Sequence, residues 1–133
     1  MKNKSIEIIT TGEELLSGIT QDSNFHWLAK QVFSMGFKVN YQQCIGDSLE
    51  DIVSALNLAN TRSKYVLVTG GLGPTDDDLT RDAASSFFDL KLILNPNVEN
   101  RIKQVFARRK RKYSNLNQKQ ALFPKGSKVI KNS

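Results

Sequence analysis

The stretch that most constrains the fold runs from Val66 to Thr80 and reads VLVTGGLGPTDDDLT. The apolar and partly β-branched run Tyr65–Thr69 predicts a strand that is buried on both faces of a sheet. A sharp backbone turn is then allowed by three glycines, Gly70, Gly71 and Gly73. A helix is predicted to open near Asp78. The stretch therefore predicts a strand, a glycine-rich turn and a helix in direct succession.

The glycine-rich turn has the chemistry of a phosphate-binding loop. Main-chain N–H groups can approach a ligand closely where side chains are absent, and the positive end of the helix dipole favours an anion. Asp76, Asp77 and Asp78 would repel phosphate, but a divalent cation held by one or two of them would bridge carboxylate and phosphate oxygens. The loop therefore indicates a metal-and-phosphate site. The alternative is that the glycines only shape the turn and the aspartates only cap the helix.

Strands and helices alternate along the rest of the chain. Before the turn, the periodicity and caps predict a strand at 6–10, a helix at 25–35 followed by Gly36, a strand at 37–41 and a helix capped by Asp47. After it, they predict a helix with inward Ala83, Ala84, Phe87 and Phe88, a strand at 92–94, a helix opening at Pro96, a short helix at 113–120 capped by Ser114 and a last strand at 129–130. This alternation indicates an α/β fold, with a parallel sheet covered on both sides by helices.

Two loops of this predicted sheet carry both glycine and acidic residues. One follows the first strand and runs from Gly12 to Asn24, and the other runs from Gly70 to Asp78. Ligands of open α/β sheets bind outside the carboxyl ends of the strands, so we expect these two loops to share one crevice.

Composition limits the other possibilities. The 133 residues carry a net charge of +6, much of it in the run Arg108–Lys112, which we interpret as a solvated helix end and not as a nucleic-acid site. No apolar run approaches the roughly 20 residues that span a bilayer, so we expect a cytoplasmic protein that does not enter membranes. Cys44 has no second cysteine to pair with, and His26 lacks neighbouring ligands, so neither is expected to be catalytic.

Five segments together resemble a known family. They are TGEELLSGITQDSN from Thr11, the helix NFHWLAKQVFSMGFKV, IGDSLEDI, VTGGLGPTDDDLT and NQKQALFPKGSKV. The chain resembles the N-terminal domain of the CinA family (competence-damage-inducible protein), within the wider group of molybdopterin-binding domains typified by MogA and MoaB. The resemblance covers essentially the whole chain. It implies a single domain over residues 1–133 with a three-layer α/β/α sandwich and a mostly parallel sheet.

The resemblance also assigns individual residues. Asp22 matches the acid of the family's D-[ST]-N motif, the glycine turn matches the family's glycine loop, and Asp78 matches the aspartate that follows this loop in both branches. Asp77 stands where the MogA branch commonly has arginine, and it agrees with CinA. An extra acid in place of a cation favours metal binding over direct phosphate pairing.

The activity implied by the resemblance differs between the branches. CinA-type domains look like metal-dependent pyrophosphatases acting on ADP-ribose, whereas the MogA branch binds molybdopterin and activates it by adenylylation. We expect hydrolysis of a nucleoside diphosphate sugar such as ADP-ribose. The alternatives are a non-catalytic module that binds a nucleotide or a pterin, and adenylyl transfer to molybdopterin.

The predicted site follows from these assignments. Asp22, Asp77 and Asp78 are expected to hold a divalent metal ion (Mg, Mn or Co), with Asp22 and Asp78 acting in catalysis and Glu13 or Glu14 as the base. Phosphate is expected to bind to six residues, Gly12, Gly70, Gly71, Gly73, Thr75 and Thr80.

Two further expectations rest on the resemblance alone. We expect a homo-oligomer. In CinA proteins the stretch after the last strand continues as NPVGTAPG, whereas this chain stops at Ser133, so we expect the domain to be truncated at its C-terminal end.

Overall fold

The structure is a computed structural model that describes residues 5–131. In chain order its elements are β1 (Ile6–Thr11), α1 (Glu13–Leu16), α2 (Ser23–Ser34), β2 (Val39–Ile45), α3 (Leu49–Arg62), β3 (Tyr65–Thr69), α4 (Thr80–Phe88), β4 (Leu92–Leu94), α5 (Pro96–Arg108), a 3-10 helix (Asn115–Ala121) and β5 (Leu122–Pro124). None of the helices in this part of the chain is long and apolar enough to cross a membrane.

A parallel sheet of three strands forms the centre of the molecule. Its order is β2-β1-β3, and Ile8 in β1 lies opposite Gln42 on one side and Leu67 on the other. All six residues of β1 are buried, so this strand is the core of the sheet. A second, antiparallel sheet pairs β4 with β5. The predicted α/β fold with a parallel sheet is confirmed.

Helices cover both faces of β1. Ile9 belongs to a buried cluster with Ile52 and Ala59 from α3 and Ala83 from α4. Ile8 points to the opposite face because side chains alternate along a strand, and it is equally inaccessible to solvent. The helix α2, with Val32 buried, contacts β1 and β2.

The prediction that β3 is buried on both faces is wrong. Within residues 5–131, β3 forms an edge of the sheet, and Tyr65 and Leu67 are 52% and 36% exposed. Val66 and Val68 pack against the buried cluster, so only one face of the strand is covered. The inward assignment of Phe88 is also wrong, since α4 ends there and its ring is 60% exposed while Phe87 packs on the core.

Several predicted boundaries and caps differ from the structure. The second strand covers Val39–Ile45, the helix after the glycine turn begins at Thr80 and not near Asp78, and the 3-10 helix that follows Ser114 replaces a predicted α-helix. Ser48, and not Asp47, caps α3, because its hydroxyl accepts the N–H of Asp51. Residues 129 and 130 form no strand, and Ile130 is 85% exposed.

The second half of the chain is tied together by Glu99. Its carboxylate accepts hydrogen bonds from the Tyr113 hydroxyl and from Nε2 of Gln118, each 3.1 Å away, and it pairs with Nζ of Lys103 at 3.1 Å. The bond from Gln118 fastens the 3-10 helix to α5, and the bond from Tyr113 fastens the segment just before it. The predicted solvated run Arg108–Lys112 lies at the other end of α5, and all five of its side chains are exposed.

Candidate functional site

A cavity lies at the carboxyl ends of β1 and β3. It is lined by residues from the loop after β1, the loop after β3 and the end of β2, namely Thr10, Thr11, Gly12, Glu14, Leu15, Thr20, Gln21, Asp22, Ser23, Asn24, Asp47, Thr69, Gly70, Gly71, Thr75, Asp77 and Asp78. The chain runs from β1 to β2 on one side and returns to β3 on the other, so the cavity lies where the strand order reverses. The predicted shared crevice is confirmed.

Hydrogen bonds join the two loops across the cavity. Nδ2 of Asn24 donates to the hydroxyl of Thr69 at 3.3 Å, which links the start of α2 to the end of β3. Under the glycine turn, the hydroxyls of Thr11 and Thr80 lie 3.2 Å apart, and Thr80 donates to the carbonyl of Gly70 at 2.8 Å. Thr80 therefore stabilises the turn through its bond to Gly70, and it does not line the cavity as the prediction of a phosphate contact would require.

The turn itself requires glycine. Gly70 and Gly71 have φ angles of +98° and +56°, and a Cβ atom on Gly70 would lie 2.1 Å from the carbonyl oxygen of Thr11. A side chain at this position would therefore push β1 and β3 apart. The backbone of the turn remains accessible to a ligand because both glycines line the cavity.

Asp78 closes the glycine turn. One of its carboxylate oxygens accepts the N–H of Gly73 at 2.8 Å, and the other accepts the N–H and the hydroxyl of Thr75 at 2.8 and 2.6 Å. Partial burial by itself raises the pKa of Asp78, but the hydrogen bonds from Thr75 and Gly73 and the nearby Lys119 outweigh it and lower the pKa below its ordinary value. The N–H of Gly73 and the N–H and hydroxyl of Thr75, which belong to residues predicted to bind phosphate, therefore donate to Asp78 instead.

Two basic side chains hold the carbonyl groups of the same turn. The guanidinium of Arg81 donates to the carbonyls of Leu72 and Gly73, and Nζ of Lys119 donates to the carbonyl of Thr75 at 3.0 Å. Neither basic residue lines the cavity. Sequence reasoning missed both, and for Lys119 no local signal exists, because its partner is 44 residues away.

Asp22 differs from Asp78 because half of its carboxylate has no partner. Oδ1 accepts the N–H of Phe25 at 2.8 Å and caps α2. Oδ2 is buried and, among the residues that the structure describes, has no hydrogen-bond partner. A buried polar atom without a partner requires an explanation, and a bound cation or donor supplies one. Asp77 lines the same cavity and is exposed.

The two candidate bases occupy different places. Glu14 lines the cavity, whereas Glu13 does not. The N–H of Glu13 donates to Oδ2 of Asp47 at 3.2 Å, and its carboxylate lies against Gly46. The geometry therefore favours Glu14 over Glu13 as the base. Asp47 joins the lining as an additional acid, and its place after β2, which is parallel to β1, was the signal that would have found it.

Acidic groups dominate the cavity. Five carboxylates line it, those of Glu14, Asp22, Asp47, Asp77 and Asp78, and among the described residues no lysine, arginine or histidine does so. This contrasts with the net charge of +6 for the whole chain. Within residues 5–131, no group of three or more His, Cys, Asp or Glu side chains is arranged to hold a metal ion. The predicted set of Asp22, Asp77 and Asp78 is therefore not assembled as a three-carboxylate group.

Comparison with known proteins places this architecture. Residues 7–130 match the family described as "Probable molybdopterin binding domain". The chain is 44% identical over 126 residues to a "Putative competence-damage inducible protein" of Natranaerobius thermophilus, a match that covers 95% of this chain and 31% of that relative. It is 41% identical to a CinA-like protein of Nostoc punctiforme, covering 96% of this chain and 31% of the relative. The chain thus spans about a third of the length of these relatives.

Solved structures agree in fold. The crystal structure of CinA from Thermoplasma acidophilum, a protein described as having unknown function, superposes with a TM-score of 0.84 at 26% identity, over 99% of this chain and 77% of that chain. MoaB of Thermus thermophilus, described as a molybdopterin biosynthesis enzyme, superposes with a TM-score of 0.59 at 20% identity, over 89% of this chain and 72% of that chain. The second likeness establishes a shared fold.

Proposed function

Since this chain belongs to the molybdopterin binding domain family, and its relatives there are CinA-like, we propose that it hydrolyses a nucleoside diphosphate sugar such as ADP-ribose with a divalent metal ion. The observation that supports this most is the lining of the cavity, to which residues 5–131 contribute five carboxylates and no basic side chain. In ADP-ribose hydrolysis, water attacks one phosphorus atom of the pyrophosphate and a P–O bond breaks. The products are AMP and ribose 5-phosphate.

The charge of the lining supports the involvement of a cation with this ligand. Two like charges 4 Å apart repel by about 4 kcal/mol near a protein surface, and a pyrophosphate would face several carboxylates. Lys119 and Arg81 are committed to loop carbonyls and do not line the cavity. A bound divalent ion would supply the compensating charge.

The donor set fits a hard divalent ion. Asp22 offers a buried Oδ2 without a partner, and Asp77 offers an exposed carboxylate at the same cavity. Mg²⁺ is typically bound through one or two carboxylates together with substrate phosphates and water, so a three-carboxylate group is not needed. We assign Asp22 and Asp77 as the first ligands and leave Asp78 mainly to the loop.

The chain's own groups then divide the work. The backbone of Gly70 and Gly71 allows the phosphates to approach the ends of β1 and β3 closely. Glu14 lies in the lining, where its carboxylate accepts the proton of the attacking water. A bound divalent ion supplies polarisation of the phosphoryl oxygen and a lowered pKa of coordinated water.

Calorimetry with ADP-ribose tests the proposal. We expect binding only with Mg²⁺, Mn²⁺ or Co²⁺, and release of AMP measurable by chromatography. Asp22→Asn keeps the cap on α2 and removes the charge, so affinity should fall about 10–100-fold, the equivalent of roughly 1.5–3 kcal/mol for a charged contact. Asp89→Asn is the matched control, because Asp89 is exposed, lies outside the cavity and has a φ of +51°, which asparagine tolerates.

Two results would contradict parts of this proposal. Equal ADP-ribose affinity with and without metal would exclude the metal-dependent site. Metal-dependent binding without AMP release would leave a binding module that performs no hydrolysis.

A second candidate function is binding of molybdopterin, with or without its adenylylation. It is favoured by the family description and by the fold shared with MoaB. Retention of added molybdopterin by the chain through gel filtration, in the absence of ADP-ribose hydrolysis, would favour this candidate. Formation of an adenylylated product from ATP would separate transfer from simple binding.

A further inference from the structure

Lys119 makes a contact that the chemistry of the cavity does not explain by itself. Its Nζ donates to the carbonyl of Thr75 at 3.0 Å and lies 3.7 Å from Oδ2 of Asp82. The side chain is only 24% exposed. It comes from the 3-10 helix, which the hydrogen bond from Gln118 to Glu99 fastens to α5. Lys119 therefore connects the second half of the chain to the glycine turn.

The side-chain bonds that Asp78 and Arg81 make within the turn are local. Asp78 and Arg81 lie on the same loop and helix as their partners, no more than nine residues away. They close the turn, but they do not fix it relative to the rest of the molecule. Thr80 anchors the base of the turn at Gly70, and Lys119 anchors its far side at Thr75.

The positive charge of Lys119 also stabilises the glycine turn. Four carboxylates occur between residues 76 and 82, namely Asp76, Asp77, Asp78 and Asp82, and Arg81 is the one basic residue among them. Without a second cation these groups would repel one another across the turn. The ammonium of Lys119 lies beside this segment but outside the cavity, so it offsets the repulsion without touching a ligand.

We propose that Lys119 is a positioning residue that holds the far side of the glycine turn in the conformation that binds the phosphates of the ligand. This deepens the proposed function and rests on it for the identity of the ligand. The hold on the turn, however, is a property of the free protein and can be measured without any ligand.

Amide hydrogen exchange of the free protein tests the positioning role directly. The N–H groups of Gly73 and Thr75 are bonded to Asp78, and their exchange reports whether the turn stays closed. In Lys119→Met we expect these two amides to exchange about tenfold faster, because local opening is no longer opposed from outside the turn. The amides of Ile8 and Ile9 in β1 should keep their rates. Unchanged exchange at Gly73 and Thr75 would overturn the proposal.

Ligand titration tests the consequence. With Mg²⁺ present, Lys119→Met should bind ADP-ribose about tenfold more weakly, the effect of losing one charge-assisted hydrogen bond, and Lys119→Arg should restore most of the affinity. Lys128→Met removes one exposed positive charge elsewhere and should leave affinity and exchange unchanged. If the methionine variant does not fold, Lys119→Gln replaces it; its side chain is shorter and uncharged, so the amides of Gly73 and Thr75 should again exchange faster than in the wild type, and unchanged exchange would overturn the proposal.

The outcomes separate the two proposals. Faster exchange in Lys119→Met with no ADP-ribose binding by the wild type would support the positioning role and contradict the proposed function. Wild-type binding that Lys119→Met leaves intact would contradict the positioning role and retain the proposed function.

Discussion

The buried carboxylates at the two ends of the central strand β1 differ in how completely they are hydrogen-bonded. At the amino end, Glu7 is fully buried and its oxygens accept hydrogen bonds from Nε and Nη2 of Arg62 at 3.1 and 2.5 Å, from the Ser63 hydroxyl at 2.9 Å and from Nε2 of Gln43 at 2.8 Å. At the carboxyl end, Oδ2 of Asp22 is buried without such a partner among the described residues. The buried acid at one end of β1 is therefore fully hydrogen-bonded, whereas the buried acid at the other end has one oxygen without a partner.

The physical reason for the contrast is the cost of burying charge. A buried carboxylate is tolerated in the folded state when donors and a counter-charge replace its water, as they do for Glu7. An acid left without these partners lowers stability, and such a group persists where a ligand completes it. The difference teaches that an unsatisfied acid, and not acidity alone, distinguishes the end of the sheet that carries the candidate site.

The largest effect that separates the two ends is expected from Glu7→Gln. The change removes the charge that pairs with Arg62, so unfolding in urea should show a loss of about 1–3 kcal/mol in the free energy of unfolding. Metal-dependent ADP-ribose affinity should stay the same, because Glu7 lies at the opposite end of β1. Glu50→Gln, an exposed position on α3, should change stability by no more than about 0.5 kcal/mol. A loss of affinity in Glu7→Gln would break the comparison.

Low pH should reduce the difference in stability between the wild type and Glu7→Gln. Burial by itself raises the pKa of Glu7, but hydrogen bonds from Arg62, Ser63 and Gln43 and the charge of Arg62 outweigh it, so the pKa is lowered. For a lowered pKa the stabilisation is present above the unfolded-state value of about 4.3 and is lost as the pH falls through the folded-state value. In urea unfolding, the gap in the free energy of unfolding between wild type and Glu7→Gln should therefore narrow as the pH falls below about 4.3. A constant gap would show that the charge of Glu7 is not responsible.

The smallest effect is expected from Asp78→Asn, which tests an acid at the carboxyl end that is nevertheless paired. The carboxylate of Asp78 accepts three hydrogen bonds. In asparagine an NH₂ group replaces one of the two oxygens, and because NH₂ is a donor it cannot accept the bonds that this oxygen accepted. We expect a stability loss of about 1–2 kcal/mol, together with weaker metal-dependent ADP-ribose binding. Thermal unfolding and calorimetry measure the two effects, and Asp76→Asn, exposed and outside the lining, is the control. Unchanged binding would place Asp78 with Glu7 as a purely structural acid.

Much of the parallel sheet and of the candidate site was predictable from sequence. The strand Tyr65–Thr69 was predicted at its observed bounds, and the glycine turn and the meeting of the two acidic loops followed from local patterns and the rule for parallel sheets. The predictions were wrong where two neighbouring residues both suit the same cap, or where the burial of a strand depends on its position in the sheet. Asp47 and Ser48 both suit a helix cap, and the apolar pattern of β3 does not distinguish a central strand from an edge.

By itself the sequence determined the features that depend on neighbouring residues: most of the helical and strand segments, the glycine turn and the acids placed just after strands. Only the tertiary structure decided which acids have partners. Asp78 is satisfied by its own loop, Asp22 keeps a buried oxygen open, and Lys119 reaches Thr75 across 44 residues. The bonds of Asp78 span only five and three residues, but the surroundings of Asp22 and the contact of Lys119 depend on groups brought together by long-range packing, which no local pattern encodes.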